Sequence, residues 1–268
     1  MDLSRDIFLR SWQLLQVGED SEAVRVLLDA MQFARDQADH PIMITSVVGI
    51  STLEQISTMF FSGLDRDGKK RGAVWRVEDL SRESLLLLRD GLDRLDRPLF
   101  LLKHAIRAEA LMFGRSMQSL GGSDGDGFSM DFEWSSWRFG FSERWMCAAA
   151  VLDALEVADG LPKVAAWSKW RDHMDGLTTA LKASDNPVFK MMMPNYTSLA
   201  AGHRRGSVAL RVLRMLVDDA LGESHKYPDP FGTDMFADEV DGKPRYWSVG
   251  EDGVSQGGDP ESDFVYVR

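Results

Sequence analysis

The stretch WSVGEDGVSQGGDPESDF, Trp247–Phe264, sets Asp252, Asp259 and Asp263 among glycines, with Glu251, Glu261 and Ser248 interspersed. Carboxylates and turn carbonyls are hard oxygen donors, and calcium takes roughly six to eight of them at flexible distances. Glycine lets the backbone curl around such an ion. The same composition also fits an acidic loop that is simply solvated. These two readings frame the tail.

Other residues with chemical potential select less. Of the five histidines, His104 lies in LLKHAIRAEALMFG beside Arg107 and Glu109. His104 and Glu109 stand five apart, so on a helix they do not share a face. No HExxH or other metal spacing is present. His173 in WRDHMDG and His203 in AGHRRGS read, like His104, as surface or packing residues. Glu109, embedded in AEALMF, needs a partner such as Arg107 or Arg115. Trp134, Trp137, Trp145, Trp167 and Trp170 could line a pocket or a partner groove, or fill the core between two packed helices. Met191–Met193 carries the same pair of readings.

Nucleophile and phosphate motifs are missing. There is no GxSxG and no GxGxxG, and GGSDGDG (Gly121–Gly127) holds two Asp and no Lys, which is wrong for cradling phosphate. The single Cys147, in WMCAAAVL, reads as a buried small hydrophobe and forms no intramolecular disulfide. LDRDGKKRG opens like an EF-hand, but basic residues follow where oxygen ligands belong, so it reads as a turn. No residue set selects a reaction.

The elements that must position these residues are mostly helices. Ser4–Gln16 carries Ile7, Phe8, Trp12, Leu14 and Leu15, and VGED then breaks the pattern. Asp20 or Ser21 can cap a second helix, in which Val24, Leu27, Leu28, Met31 and Ala34 recur at three- and four-residue steps. Pro41 suits the start of a third helix running to about Gly63. Further helices are expected over Val77–Leu95, Pro98–Leu120, Ser135–Val157 and Leu161–Ala183. A long final helix, interrupted at Pro194, runs to Leu221. After Gly222 the composition changes to aromatic–Gly–Asp turns. The expected architecture is mainly α, an antiparallel bundle or irregular solenoid over 1–222, with a small β-hairpin and loop module over 223–268.

The totals exclude some partners. A net charge of −11 argues against binding a phosphate backbone, so nucleic acid is not expected. Pro41–Leu64 is the most apolar stretch, but Glu54 interrupts it, and no transmembrane helix is expected. MDLSRDIF lacks the pattern of a signal peptide.

Three motifs in order add a resemblance. DPFG (Asp229–Gly232), GKPRYWSVGEDG (Gly242–Gly253) and GGDPESDF (Gly257–Phe264) make the tail similar to the C-terminal region of the type II secretion major pseudopilins. The resemblance is confined to the tail, because a pseudopilin opens on a long apolar helix. It implies one bound calcium, with Asp252 as the Asp of the SxGxDG element and the carbonyl of Val249 as a main-chain ligand. Asp259 and Asp263 match the later acidic positions, and Glu261 substitutes if the register differs. More diffusely, the whole chain resembles uncharacterised helical proteins of planctomycetes that end in such a tail. That outline rests on RAEALMFGRSMQSL and on AGHRRGSVALRVLRMLVDDALGESHKYPDP.

The resulting expectation is a non-enzymatic structural or assembly protein with a protein partner, open to homo-oligomerisation. Millimolar extracytoplasmic calcium would fill a modest-affinity site. That favours the cell envelope where an upstream export segment has been removed, and the cytoplasm otherwise. Two alternatives stand beside it. One is an enzyme or ligand-binding protein using the Trp-lined region with Glu109, His104 or His173. The other is an adaptor that binds a partner through the N-terminal helical hairpin.

Overall fold

Apolar residues recurring at helical spacing fold the first part of the chain into α1 (Leu3–Gln16) and α2 (Asp20–Ala38). A computed structural model describes residues 3–40, 43–61, 63–64, 70–71, 75–96, 196–232, 234–260 and 263–267. It also describes the helical positions Ala108, Trp167, Arg171, Asp172, Asp175 and Thr179. Gly18, at φ +82°, closes α1. There the Gly18 N–H bonds the Leu15 carbonyl at 3.0 Å and the Glu19 N–H bonds the Leu14 carbonyl at 2.9 Å. These are the two reversed bonds of a Schellman cap, which satisfy carbonyls at the helix end.

Val24, Leu27, Met31 and Ala34 are buried as the spacing predicts, and Leu28 is partly so. The cap of α2 differs from expectation. Glu19 occupies that position without a side-chain bond. Asp20 instead takes the Ser81 N–H on Oδ2 at 2.7 Å and the Ser21 N–H on Oδ1 at 3.0 Å. The carboxylate thus bridges the first turn of its own helix to the Ser81 segment.

α3 (Met43–Thr58) packs on α2 at Gly49. A Cβ there would sit 2.2 Å from the Ala38 nitrogen and 2.5 Å from the Ala34 oxygen, so only glycine allows the two backbones this close. The turn expected at LDRDGKKRG is flanked by two short antiparallel strands, β1 (Gly63–Leu64) and β2 (Lys70–Arg71). The helix expected over Val77–Leu95 divides into a 3-10 turn, Val77–Asp79, and α4 (Arg82–Leu95). Ser81 makes the break: its backbone is extended, and its hydroxyl accepts the Ser84 N–H at 3.3 Å.

α5 (Tyr196–Leu221) packs against α3 and α4 and buries Val208, Val212, Leu213, Leu216 and Val217. It ends at Gly222 (φ +77°) in a second Schellman cap, with the Glu223 N–H on the Asp218 carbonyl at 2.9 Å. The change of composition after Gly222 coincides with this cap.

The tail forms a three-stranded antiparallel sheet in the order β3 (Phe236–Val240), β4 (Lys243–Ser248), β5 (Phe264–Val267). Asp241 and Gly242 both have positive φ, 54° and 75°, giving the two-residue turn whose twist suits a hairpin. Along β4, Tyr246 and Ser248 are buried, and Tyr246 reaches Asp219 on α5. Arg245 and Trp247 point to the opposite face, where the Arg245 guanidinium lies 5.0 Å from the indole.

The molecule is mainly α with a small C-terminal β module, as expected. Among the described residues no helix is long and apolar enough to cross a membrane. Apart from isolated helical positions, the helices expected over Pro98–Leu120, Ser135–Val157 and Leu161–Ala183, and the GGSDGDG connection, lie outside the described residues.

Candidate functional site at the helix–tail junction

The tail is fastened to α5 by a row of arginines. Arg204 and Arg211 project from one helix toward the turn that carries DPFG, and Arg205 toward the Glu251 loop. Arg204 donates to the Pro230 carbonyl, Arg211 to the Pro228 carbonyl, and Arg205 to the Glu251 carboxylate at 3.1 Å. Arg211 also pairs with Asp96 at the end of α4, at 2.9 Å. Guanidinium groups suit this task because their planar fork meets several oxygens at once.

Arg204 is the central anchor. Its guanidinium lies over Trp167 at 4.9 Å and near Phe231 at 5.9 Å. Burial pulls it down to about 10, partly offset by the negative charge of Asp229. It remains charged at neutral pH. Trp167 is itself buried, edge-on to Phe231 at 5.3 Å, and its indole N–H donates to the Glu251 carbonyl at 2.8 Å. Of the five clustered tryptophans it is the one described, and it packs in the core between helix and tail. Trp134, Trp137, Trp145 and Trp170 lie outside the described residues, as do His104, Glu109, His173, Met191–Met193 and Cys147.

Two carboxylates organise the module from within. Asp229 accepts the Phe231 N–H at 2.8 Å, the Ser248 hydroxyl at 2.8 Å and the Val249 N–H at 2.9 Å. It thereby joins the DPFG turn to the end of β4. Asp263 is buried, and its Oδ2 collects the N–H groups of Gln256, Gly258 and Asp259 at 3.1, 2.8 and 3.2 Å. Its own N–H donates to the Asp259 carbonyl at 2.7 Å. A carboxylate accepting several backbone N–H groups has its oxygens satisfied without a cation.

The expected calcium ligands therefore divide. Asp263 faces backbone N–H groups. Val249 is buried, with its N–H on Asp229. Asp252 is exposed and accepts the Val254 N–H at 2.9 Å and the Gln256 side-chain amide at 2.6 Å. Asp259 is exposed, and Glu261 lies outside the described residues. Asp252, Asp259 and Asp263 do not bring their ligand atoms together within 4.8 Å.

A cation does meet the loop from the protein side. Arg245 donates to the carbonyls of Gly257 and Gly258 at 3.2 Å each, and its Nε donates to Asp238 at 2.8 Å. Gly258 lies against it so closely that a Cβ would come 3.0 Å from Cζ. Sequence reasoning missed Arg245, although its place in the aromatic strand leading to SVGEDG was a usable signal. It also missed Asp229, whose Asp–Pro–Phe–Gly turn marks a side chain positioned to cap its own backbone.

His203, weighed as a chemical group in the sequence, is fully buried on α5, 3.5 Å from Arg35 on α2. Burial, then the Arg35 charge, hold its imidazole down to about 3, so it is neutral and part of the core. Compared with family models, curated proteins and solved structures, the chain finds no match in any of the three.

Proposed function

We propose that this chain is a non-enzymatic structural or assembly protein, in which the helices form a scaffold and the C-terminal module is the working face. The observation that supports this reading is the arginine row on α5. It invests three guanidinium groups in holding the DPFG turn and the Glu251 loop, while Asp252, Val254 and Asp259 remain exposed on the outer side. Such an arrangement fits a surface whose shape matters to a partner. The order of motifs in the tail, similar to that of the pseudopilins, adds a protein partner and the cell envelope to the proposal.

Calcium enters as a narrower part of the same proposal. The loop is already closed by Arg245 and Asp263, so an ion would add Asp252, Asp259 and main-chain oxygens such as that of Val249 to an existing turn. The gain is then set by mass action, about 1.4 kcal/mol at a free concentration ten times the dissociation constant.

Thermal unfolding and light scattering with calcium or chelator test both parts on wild type and Asp252→Ala. The expected result is a higher Tm with calcium in the wild type alone, and a particle mass above the monomer. A Tm that calcium shifts in neither protein would remove the ion. A monomer at every concentration, with or without calcium, would count against self-assembly.

A further inference from the structure

A different set of ligand-type side chains gathers where α5 ends. Asp218 in its last turn, Glu223 just past the Gly222 cap and His225 beyond it each bring one ligand atom within 4.8 Å of the others. No other group of this kind occurs among the described residues. The set does not resemble the tail loop chemically, because one donor is an imidazole.

Asp218 supplies an independent reason to expect a ligand. It is 1% exposed, and its Oδ1 has no hydrogen-bond partner. A buried carboxylate oxygen left unpaired is costly and calls for a cation or a donor. Its Oδ2 accepts from the Tyr227 hydroxyl and from His225 Nδ1, the latter at 3.1 Å. Glu223 holds Arg89 through Oε2 at 2.9 Å, so its second oxygen is the one available to the group. The carbonyl end of α5 adds the negative pole of the helix dipole beside all three.

We propose that Asp218, Glu223 and His225 form a three-ligand site for a divalent transition metal of the zinc type, with water in the fourth position. Two carboxylates and one imidazole suit such borderline cations, whereas calcium prefers oxygen alone. Asp218 binds through its unpaired Oδ1, and the 3.1 Å hydrogen bond from His225 Nδ1 to Oδ2 already sets that imidazole nitrogen beside the carboxylate. The ion takes the place of the Nδ1 proton, which leaves to solvent. Arg89 on Glu223 and Tyr227 on Asp218 become the outer hydrogen bonds that orient the ligands. Metal binding fixes the last turn of α5 to the first residues of the tail.

The test titrates the full chain with Zn2+ by calorimetry and with Co2+ by visible absorption, which reports four-coordination. Wild type is expected to bind with the visible bands of a four-coordinate Co2+ centre. His225→Ala and Glu223→Gln are expected to bind at least tenfold more weakly and to lose those bands. The His225 side chain is 54% exposed, so its truncation leaves the fold standing even where Asp218→Asn does not. Asp252→Ala should match wild type for Zn2+, and excess Ca2+ should not displace Co2+, which separates this site from the tail loop. A wild type that takes up neither metal overturns the proposal. So do His225→Ala and Glu223→Gln variants that bind as tightly as wild type.

Discussion

Replacing Asp229 with alanine removes the acceptor of three hydrogen bonds in one step. The Ser248 hydroxyl can rotate, and it already accepts the Gly250 N–H at 3.3 Å, so its loss is the mildest. The N–H groups of Phe231 and Val249 cannot turn away. Each stays inside the junction without a partner, at about 1–3 kcal/mol. Arg204 also loses the nearby charge that offsets its own burial. Together these set the expected loss for Asp229→Ala at about 3–5 kcal/mol, a large part of the roughly 5–15 kcal/mol that holds a domain folded. Asp229→Asn keeps one oxygen for Phe231 and Ser248 but turns an amide nitrogen toward the Val249 N–H, so about half the loss is expected. Urea unfolding followed by tryptophan fluorescence and far-ultraviolet circular dichroism measures both variants, with the slope checked against wild type. A loss below about 1 kcal/mol for Asp229→Ala at unchanged slope would refute the reasoning, because buried donors would then be finding other partners.

Gly49→Ala forces a methyl group into the Ala34–Ala38 backbone of α2, and neither backbone can yield as a side chain would. Its expected cost is about 3 kcal/mol or more, read from the urea midpoint; a variant within about 0.5 kcal/mol of wild type would mean that α2 and α3 do not approach so closely. His203 gives a pH signature. Its folded pKa of about 3 lies below the ordinary 6.5, so the unfolded chain binds the proton first and stability falls as pH drops from 6.5 toward 3. Between pH 7 and pH 5 that term is roughly 2 kcal/mol, present in wild type and absent in His203→Gln. Identical pH slopes for the two proteins would show that the imidazole is not held neutral.

Periodicity made the helices legible because each is specified by its own residues. Val24, Leu27, Met31 and Ala34 repeat on one face of α2, and that face is buried. The cap of the same helix was not legible, because Asp20 is claimed by Ser81, a partner 61 residues away. Ser81 likewise splits a run that reads as one helix. In the tail, composition marked the carboxylates as organisers of a loop, and Asp263 does organise it. Spacing could not tell that it does so through backbone N–H groups, or that Arg245 would supply a positive charge from the neighbouring strand. Asp218, Glu223 and His225 escaped notice for a related reason. They meet through the Gly222 cap, and a cap glycine marks where a helix stops but not which later side chains return to it.

The edge-to-face contact between Phe61, just past α3, and Tyr266 on β5, at 5.2 Å, sets a condition on how the chain is made. About 200 residues separate the two rings, and closing such a loop costs about 5 kcal/mol of chain entropy before the contact repays it. Synthesis delivers Phe61 long before its partner. Phe61 must therefore wait for Tyr266 while the rest of the chain emerges, a period in which collapse onto other chains competes with folding. Yield in the cell should accordingly depend on how fast translation completes and on what shields the nascent helices, as well as on the stability of the finished protein.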